Sequence, residues 1–179
     1  MKVVGLCGPS GVGKTRLAEG LIAALKAAGQ RVSVVKHAHK RFDIDREGKD
    51  SWRHREAGAF EVVVANSTML AKVRSYEVAG EPSVHQLLAE LVDTGEARNW
   101  ALVEGFKHAD LPKIEVWRAE LGTAPMYGED PFVVAVATDD PQRLPRPTAL
   151  PVLDLNDPAG VAAFLMQDAG RYDYEPRSL

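Results

Sequence analysis

Residues Gly8, Pro9, Ser10, Gly11, Val12, Gly13, Lys14 and Thr15 meet every fixed position of the phosphate-binding pattern G-x-x-x-x-G-K-[ST]. What surrounds the motif constrains the fold as much as its letters do. Lys2 to Cys7 is a short, mostly apolar run suited to a buried strand. Arg16 to Ala28 then carries Leu17, Leu21, Ile22 and Leu25 at helical spacing, with Gly29 as a natural stop. Strand, glycine loop and helix is the order that phosphate binding requires. Gly8, Gly11 and Gly13 allow the backbone to curl into a concavity of inward-facing N–H groups, and the helix start adds its positive end. Lys14 is then expected to reach the outer phosphates, and the Thr15 hydroxyl to ligate Mg2+. A glycine-rich turn that fits by accident is the bland alternative, and the flanking elements argue against it.

Composition narrows the class. The 179 residues are 45% hydrophobic and 26% charged, as in ordinary globular proteins, and suffice for one domain over residues 1–169 with a polar tail at 170–179. A net charge of −3 gives no field for nucleic acid. Cys7 stands alone, which excludes an internal disulfide framework, and a small buried thiol is its plainer reading. No apolar run approaches a membrane span, and the chain enters its first strand without a leader pattern, so a cytoplasmic protein is expected.

The rest of the chain alternates elements. Strands are expected at 31–36, 61–66, 69–73, 100–103, 132–137 and 152–155, with an edge or hairpin strand over Ile114 to Trp117. Helices are expected at 51–57, at 84–92 with Ser83 as N-cap, and from Asp157-Pro158 to about Gln167. This predicts an α/β fold of the P-loop NTPase type, a mostly parallel sheet with helices on both faces.

Ligands of such sheets bind beyond the carboxyl ends of the strands. Lys36, His37 and His39 follow one strand; Glu104, Lys107 and His108 follow another; Thr138, Asp139 and Asp140 follow a third. With the phosphate loop, four neighbouring strand ends are expected on one rim. Glu104, ending an apolar strand before Gly105, takes the place of the acid that holds Mg2+ in such sites, where Asp is commoner. Its plainer reading is a solvated loop acid.

The stretch from His37 to Asp50 carries mixed signals. His37, His39, Asp43 and Asp45 sketch a zinc site, but without cysteines or a clear third ligand the signal is weak. Lys36, Lys40, Arg41, Arg46 and Lys49 suit an anionic ligand better. Asp50, at a helix entry, serves either Mg2+ or the helix start.

Val35-Lys-His-Ala-His39, Asp43-Ile-Asp45, Gly48-Lys-Asp-Ser51, Glu56-Ala-Gly-Ala59 and Leu102-Val-Glu-Gly-Phe-Lys-His108 follow the phosphate loop in order. Together they resemble the molybdopterin-guanine dinucleotide biosynthesis protein B family (MobB), over the chain to about Asp157. The resemblance implies a GTP-binding protein with weak GTPase activity, acting as a dimeric adaptor. Its implied partner is the guanylyltransferase that joins GMP to molybdopterin in molybdenum cofactor maturation, with molybdopterin itself a further ligand. Carried over, residues 8–15 hold the GTP phosphates, and Thr15, Asp50 and Glu104 lie near Mg2+. The family often has Asp where Asn99 stands, which leaves that position without an assigned role.

The guanine-reading element N-K-x-D is absent. Asp139, at the corresponding strand end, is the candidate acceptor for guanine N1–H and N2–H2, against the alternative of a turn cap before Pro141. Lys14 and Lys36 are the catalytic candidates. No glutamine or arginine is recognisable beside the loop, so slow turnover is expected unless a partner supplies one. A kinase for a small acceptor, with Lys36 and the 37–50 stretch as a lid, and a binding module without turnover remain open alternatives.

Overall fold

A computed structural model of the chain describes residues 1–38, 42, 44–78, 80–92, 96 and 98–175. The chain divides into two compact units, one of residues 1–37 with 83–179 and one of residues 38–82.

In the first unit, six strands form one sheet: β1 (Lys2–Cys7), β2 (Arg31–Lys36), β5 (Asn99–Glu104), β6 (Lys113–Val116), β7 (Val133–Thr138) and β8 (Val152–Asp154). Their order is β2-β5-β1-β6-β7-β8, and every pairing is parallel. Helices α1 (Lys14–Ala27), α3 (Val84–Ala89) and α4 (Pro158–Gln167) supply the cover. Alternation along the strands sends Val4, Leu6, Trp100 and Leu102 into the core formed with α1 and α4, and Val3, Ala101 and Val103 into the core formed with α3. A period of two with both faces apolar is what a parallel sheet covered on both sides demands.

Helix ends follow local chemistry. Ser83 and Gln86 form a capping box at the start of α3. That helix closes at Ala89 instead of reaching Val92, because the N–H groups of Glu90 and Leu91 bond back three residues, to Leu87 and Leu88. Asp157 accepts from Gly160 N–H at 3.0 Å and Pro158 opens α4. The chain beyond Gly170 does not begin as a loose tail. Ala169–Tyr172 makes a 3-10 turn, Tyr172 is buried against Trp100, and Tyr174 with Asp110 brackets His85 at 2.8 and 2.9 Å.

Strand β6 corrects the expectation of an edge or hairpin. It lies inside the sheet between β1 and β7, and its Lys113 and Glu115 are 2% and 1% exposed. Lys113 donates to the Lys107 and Ala109 carbonyls at 2.9 and 2.8 Å and to Asp130 at 2.6 Å. Glu115 accepts the N–H groups of Met126 and Tyr127 at 2.8 and 2.7 Å. A charged alternation that reads as a solvated face is thus buried with its hydrogen bonds satisfied.

The second unit contains α2 (Asp50–Glu56) and an antiparallel hairpin of β3 (Glu61–Ala65) and β4 (Leu70–Arg74), separate from the parallel sheet. Asn66 turns the hairpin by accepting from the N–H groups of Thr68 and Met69, each at 2.8 Å. Among the described residues, no helix is long and apolar enough to cross a membrane.

Candidate functional site

The phosphate loop joins β1 directly to α1. The helix starts at Lys14, two residues earlier than its apolar spacing indicates, since Leu17 N–H bonds the Gly13 carbonyl at 3.0 Å. Gly13 caps it without a side-chain acceptor and the first turn holds no acid, so its leading N–H groups are left for a ligand. Gly8 has φ +129°, and a Cβ there would lie 2.3 Å from the Val116 carbonyl oxygen. Only glycine allows β6 this close to the loop.

Lys14 Nζ donates to the Gly8 and Pro9 carbonyls at 2.9 and 2.6 Å, folding its side chain back across the loop. Burial holds its ammonium below the usual lysine range, while the Glu104 carboxylate works in the opposite direction. Pro9 and Ser10 complete the loop, and Val12 anchors it as a fully buried side chain.

Glu104 gathers two other expected site residues, Thr15 and Lys36. Register sets it opposite Leu6 of β1 and Lys36 of β2, at the carboxyl end of the sheet. The Thr15 hydroxyl donates to Glu104 Oε1 at 2.6 Å, and Lys36 Nζ stands 3.4 Å from the same oxygen. Gly105 allows the chain to turn there at φ +96°, where a Cβ would lie 2.8 Å from His37 Cβ. His37 stacks on Phe106 at 4.8 Å. An exposed hydroxyl and a partly buried carboxylate oxygen, in contact beside the phosphate loop, are the hard donors that Mg2+ prefers, so these residues fit that ion.

On the opposite side of the loop, the two acids after β7 have separate tasks. Asp140 caps the turn Pro141–Arg143 by accepting Gln142 N–H at 3.0 Å. Asp139 takes no part in that cap and pairs with Arg118. The strand ends are not four neighbours, because β6 intervenes between β1 and β7 and contributes Arg118. Arg118 Nε donates to the Val12 carbonyl at 3.0 Å, so an arginine does sit beside the loop. Sequence reasoning missed it because an edge assignment for β6 removes Arg118 from the rim; a Lys-x-Glu-x-x-Arg run ending an interior strand was the available signal.

Several of the other expected residues have local partners of their own. Asp50 is the first residue of α2 in the second unit, exposed and 4.0 Å from Arg53, while Lys49 occupies the cap position. Asp45 accepts from the Ser51 hydroxyl and Arg46 N–H at 2.8 and 2.9 Å, which orders its own loop. Arg46 and Lys49 are exposed. Lys107 and His108 are exposed, and the main-chain carbonyl of Lys107 is what the fold uses. His39, Lys40, Arg41 and Asp43 lie outside the described residues. Cys7 is buried, with Sγ 3.7 Å from the Ile114 carbonyl oxygen.

Comparison with known proteins bears on the family and the fold. The family model described as "Molybdopterin guanine dinucleotide synthesis protein B" matches residues 3–139. The chain is similar to a molybdopterin-guanine dinucleotide biosynthesis adapter protein of Haemophilus influenzae, with 40% identity over 91% of this chain and 86% of that protein. It is also similar to the adapter protein of the same description from Escherichia coli, with 39% identity over 88% and 87%. In fold it resembles the crystal structure of a MobB homolog from Bacillus stearothermophilus, with TM-score 0.67 and 25% identity over 95% of this chain and 99% of that one. The fold, glycine loop and matched span agree: the chain belongs to the molybdopterin guanine dinucleotide synthesis protein B family, whose members have a P-loop nucleotide-binding fold.

Proposed function

We propose that this protein binds GTP with Mg2+ and acts as an adaptor for the guanylyltransferase that makes molybdopterin guanine dinucleotide, hydrolysing GTP slowly by itself. The observation that carries the reading is the pairing of an open α1 N-terminus with the Thr15–Glu104 contact beside it. The first provides N–H groups and dipole for phosphate, and the second provides oxygen donors for the accompanying cation. Lys14 at the start of α1 and Lys36 at the end of β2 balance the charge of the outer phosphates. Mg2+, when bound, would neutralise phosphate oxygens; Thr15 and Glu104 would hold it.

Hydrolysis needs water to attack the terminal phosphorus while the bridging oxygen leaves with its electron pair. Lys14 and the loop N–H groups stabilise the developing negative charge there. Asp139, free of capping duty, is the acceptor for guanine N1–H and N2–H2. A partner-dependent phosphate release assay with purified guanylyltransferase tests this reading. GTP should bind more tightly than ATP, Lys14→Ala should abolish that binding, and release should rise with the partner. Release that rises only with a small-molecule phosphate acceptor would identify a kinase instead.

The adaptor is a homodimer in this reading, joined through the hairpin. Val63, Leu70 and Met69 are 56%, 69% and 72% exposed on a two-stranded ribbon, which is marginal in water without cover.

A further inference from the structure

Arg118 touches both halves of the nucleotide site. Its Nε donates to the Val12 carbonyl of the phosphate loop at 3.0 Å, and its Nη1 pairs with Asp139 Oδ2. The guanidinium is partly covered, and the position of a Cβ on Gly13 would lie 3.9 Å from Nε and Nη2. A trans peptide is planar, with its carbonyl and N–H pointing in opposite directions. When Arg118 holds the Val12 carbonyl, the Gly13 N–H of the same plane is turned away from Arg118. Gly13, at φ +108°, has no Cβ to fix that plane by itself. The same planar fork fixes one oxygen of Asp139 and leaves the other for a ligand. Lysine, a single point donor, would serve one of these acceptors at a time.

We propose that Arg118 is a positioning residue that couples the phosphate loop to base selection, setting the Val12–Gly13 peptide for phosphate and the Asp139 carboxylate for guanine. It rests on the reading of Asp139 as the acid that meets the base. Neither contact requires Arg118 to touch the nucleotide. Its two bonds reach elements 106 and 21 residues away in sequence, so loop geometry and base preference are linked through one side chain.

The test compares Arg118→Met, Arg118→Lys and Asp139→Asn by calorimetry with GTP, ATP and inorganic tripolyphosphate, which carries the phosphates without a base. Arg118→Met should weaken tripolyphosphate about tenfold and bring the GTP-to-ATP affinity ratio towards one, as expected for hydrogen bonds involving a charged group. Arg118→Lys should recover one of these effects and not both. Asp139→Asn should lower the ratio, leave tripolyphosphate unchanged and improve binding of xanthosine triphosphate, whose 2-oxo group accepts from the new amide. Unchanged tripolyphosphate affinity and an unchanged ratio in folded Arg118→Met, with the ratio lost in Asp139→Asn, overturn the role of Arg118 and leave the base reading standing. A ratio unmoved by Asp139→Asn overturns the base reading, and with it the coupling. If Arg118→Met fails to fold, the decision passes to Arg118→Lys, where full retention of both properties overturns the proposal.

Discussion

The Thr15 hydroxyl donates a 2.6 Å hydrogen bond to Glu104, a residue 89 positions along the chain. Parallel pairing of β5 with β1 makes this possible, because it sets Glu104 level with Leu6, just before the loop begins. The carboxylate already has a cation near it in Lys36 at 3.4 Å. A metal cation approaching this oxygen would therefore compete with Lys36 as well as with water.

Glu104→Gln follows from that relationship. The amide preserves size and hydrogen bonding to Thr15 but removes the charge. The gain in GTP affinity on adding Mg2+ should shrink on the order of tenfold, as when supporting metal contacts are lost. Asp50→Asn, measured alongside, reports whether the second unit also contributes. Calorimetry with and without Mg2+ checks both, and an unaltered gain in Glu104→Gln removes Glu104 from the metal side.

Gly8→Ala should damage the loop from within. The added methyl would meet the Val116 carbonyl oxygen at 2.3 Å on a backbone at φ +129°. Strain of this kind costs roughly 1–3 kcal/mol before any clash is counted. Urea denaturation should show at least that loss, together with weak GTP binding, whereas Gly29→Ala, with open space at its Cβ, should lose stability through φ strain alone.

How much of this was legible depends on how far each signal reaches. The glycine loop, β1, β2 and the Asp157-Pro158 start of α4 rest on neighbours within a few residues, so local reading finds them. The interior place of β6 is not local. Lys113 and Glu115 are charged, and what neutralises their burial is Asp130 and the N–H groups of Met126 and Tyr127, 11 to 17 residues on. Arg118 was hidden by the same step, since it follows β6. The hairpin strands were visible as strands, but that β3 and β4 pair with each other outside the parallel sheet is a matter of strand partner choice, which periodicity does not encode.

The Lys113–Asp130 pair predicts an acid limb in stability. Desolvation is the largest single influence on Asp130 and raises its pKa, but the hydrogen bonds from Lys113 and Phe132 N–H together with the nearby positive charge outweigh it and hold the carboxyl below the usual carboxylate range. The unfolded chain therefore binds the proton first as pH falls, so the stability this group adds is present above about pH 4 and is lost as pH drops through its lower folded value. Asp130→Asn should flatten that limb in thermal melts. It should also cost about 3–5 kcal/mol near neutral pH, because Lys113 would be left charged and buried without its partner.

Cys7 should report unfolding. Burial, helped by Glu115, pushes its thiol up to about 12, and the side chain is 1% exposed. Reaction requires an accessible thiolate, so a disulfide reagent at pH 8 should label the native protein only as fast as it opens. GTP should slow that labelling because it binds the folded state alone. Fast labelling without unfolding would place Cys7 in a more open β1 end than the one described.

The hairpin gives the last prediction. Pairing of Ala65 with Leu70 and of Val63 with Lys72 places Val63, Ala65 and Leu70 on one face of the ribbon together with Lys72 and the Glu61–Arg74 ion pair at 2.8 Å. Among the described residues neither strand pairs with a third, and Val63 and Leu70 are exposed; natural proteins seldom leave both strand edges and large apolar side chains uncovered. A second copy of the chain offers identical strands and an identical face, which suits a two-fold contact. Val63→Glu with Leu70→Glu adds charge to this face without touching the core, so the fold should survive while sedimentation shifts from dimer to monomer. GTP binding by the first unit should persist in that monomer, and partner-dependent phosphate release would then show whether the adaptor role needs two copies. A wild-type chain that sediments as a monomer at micromolar concentration would leave this face for another protein.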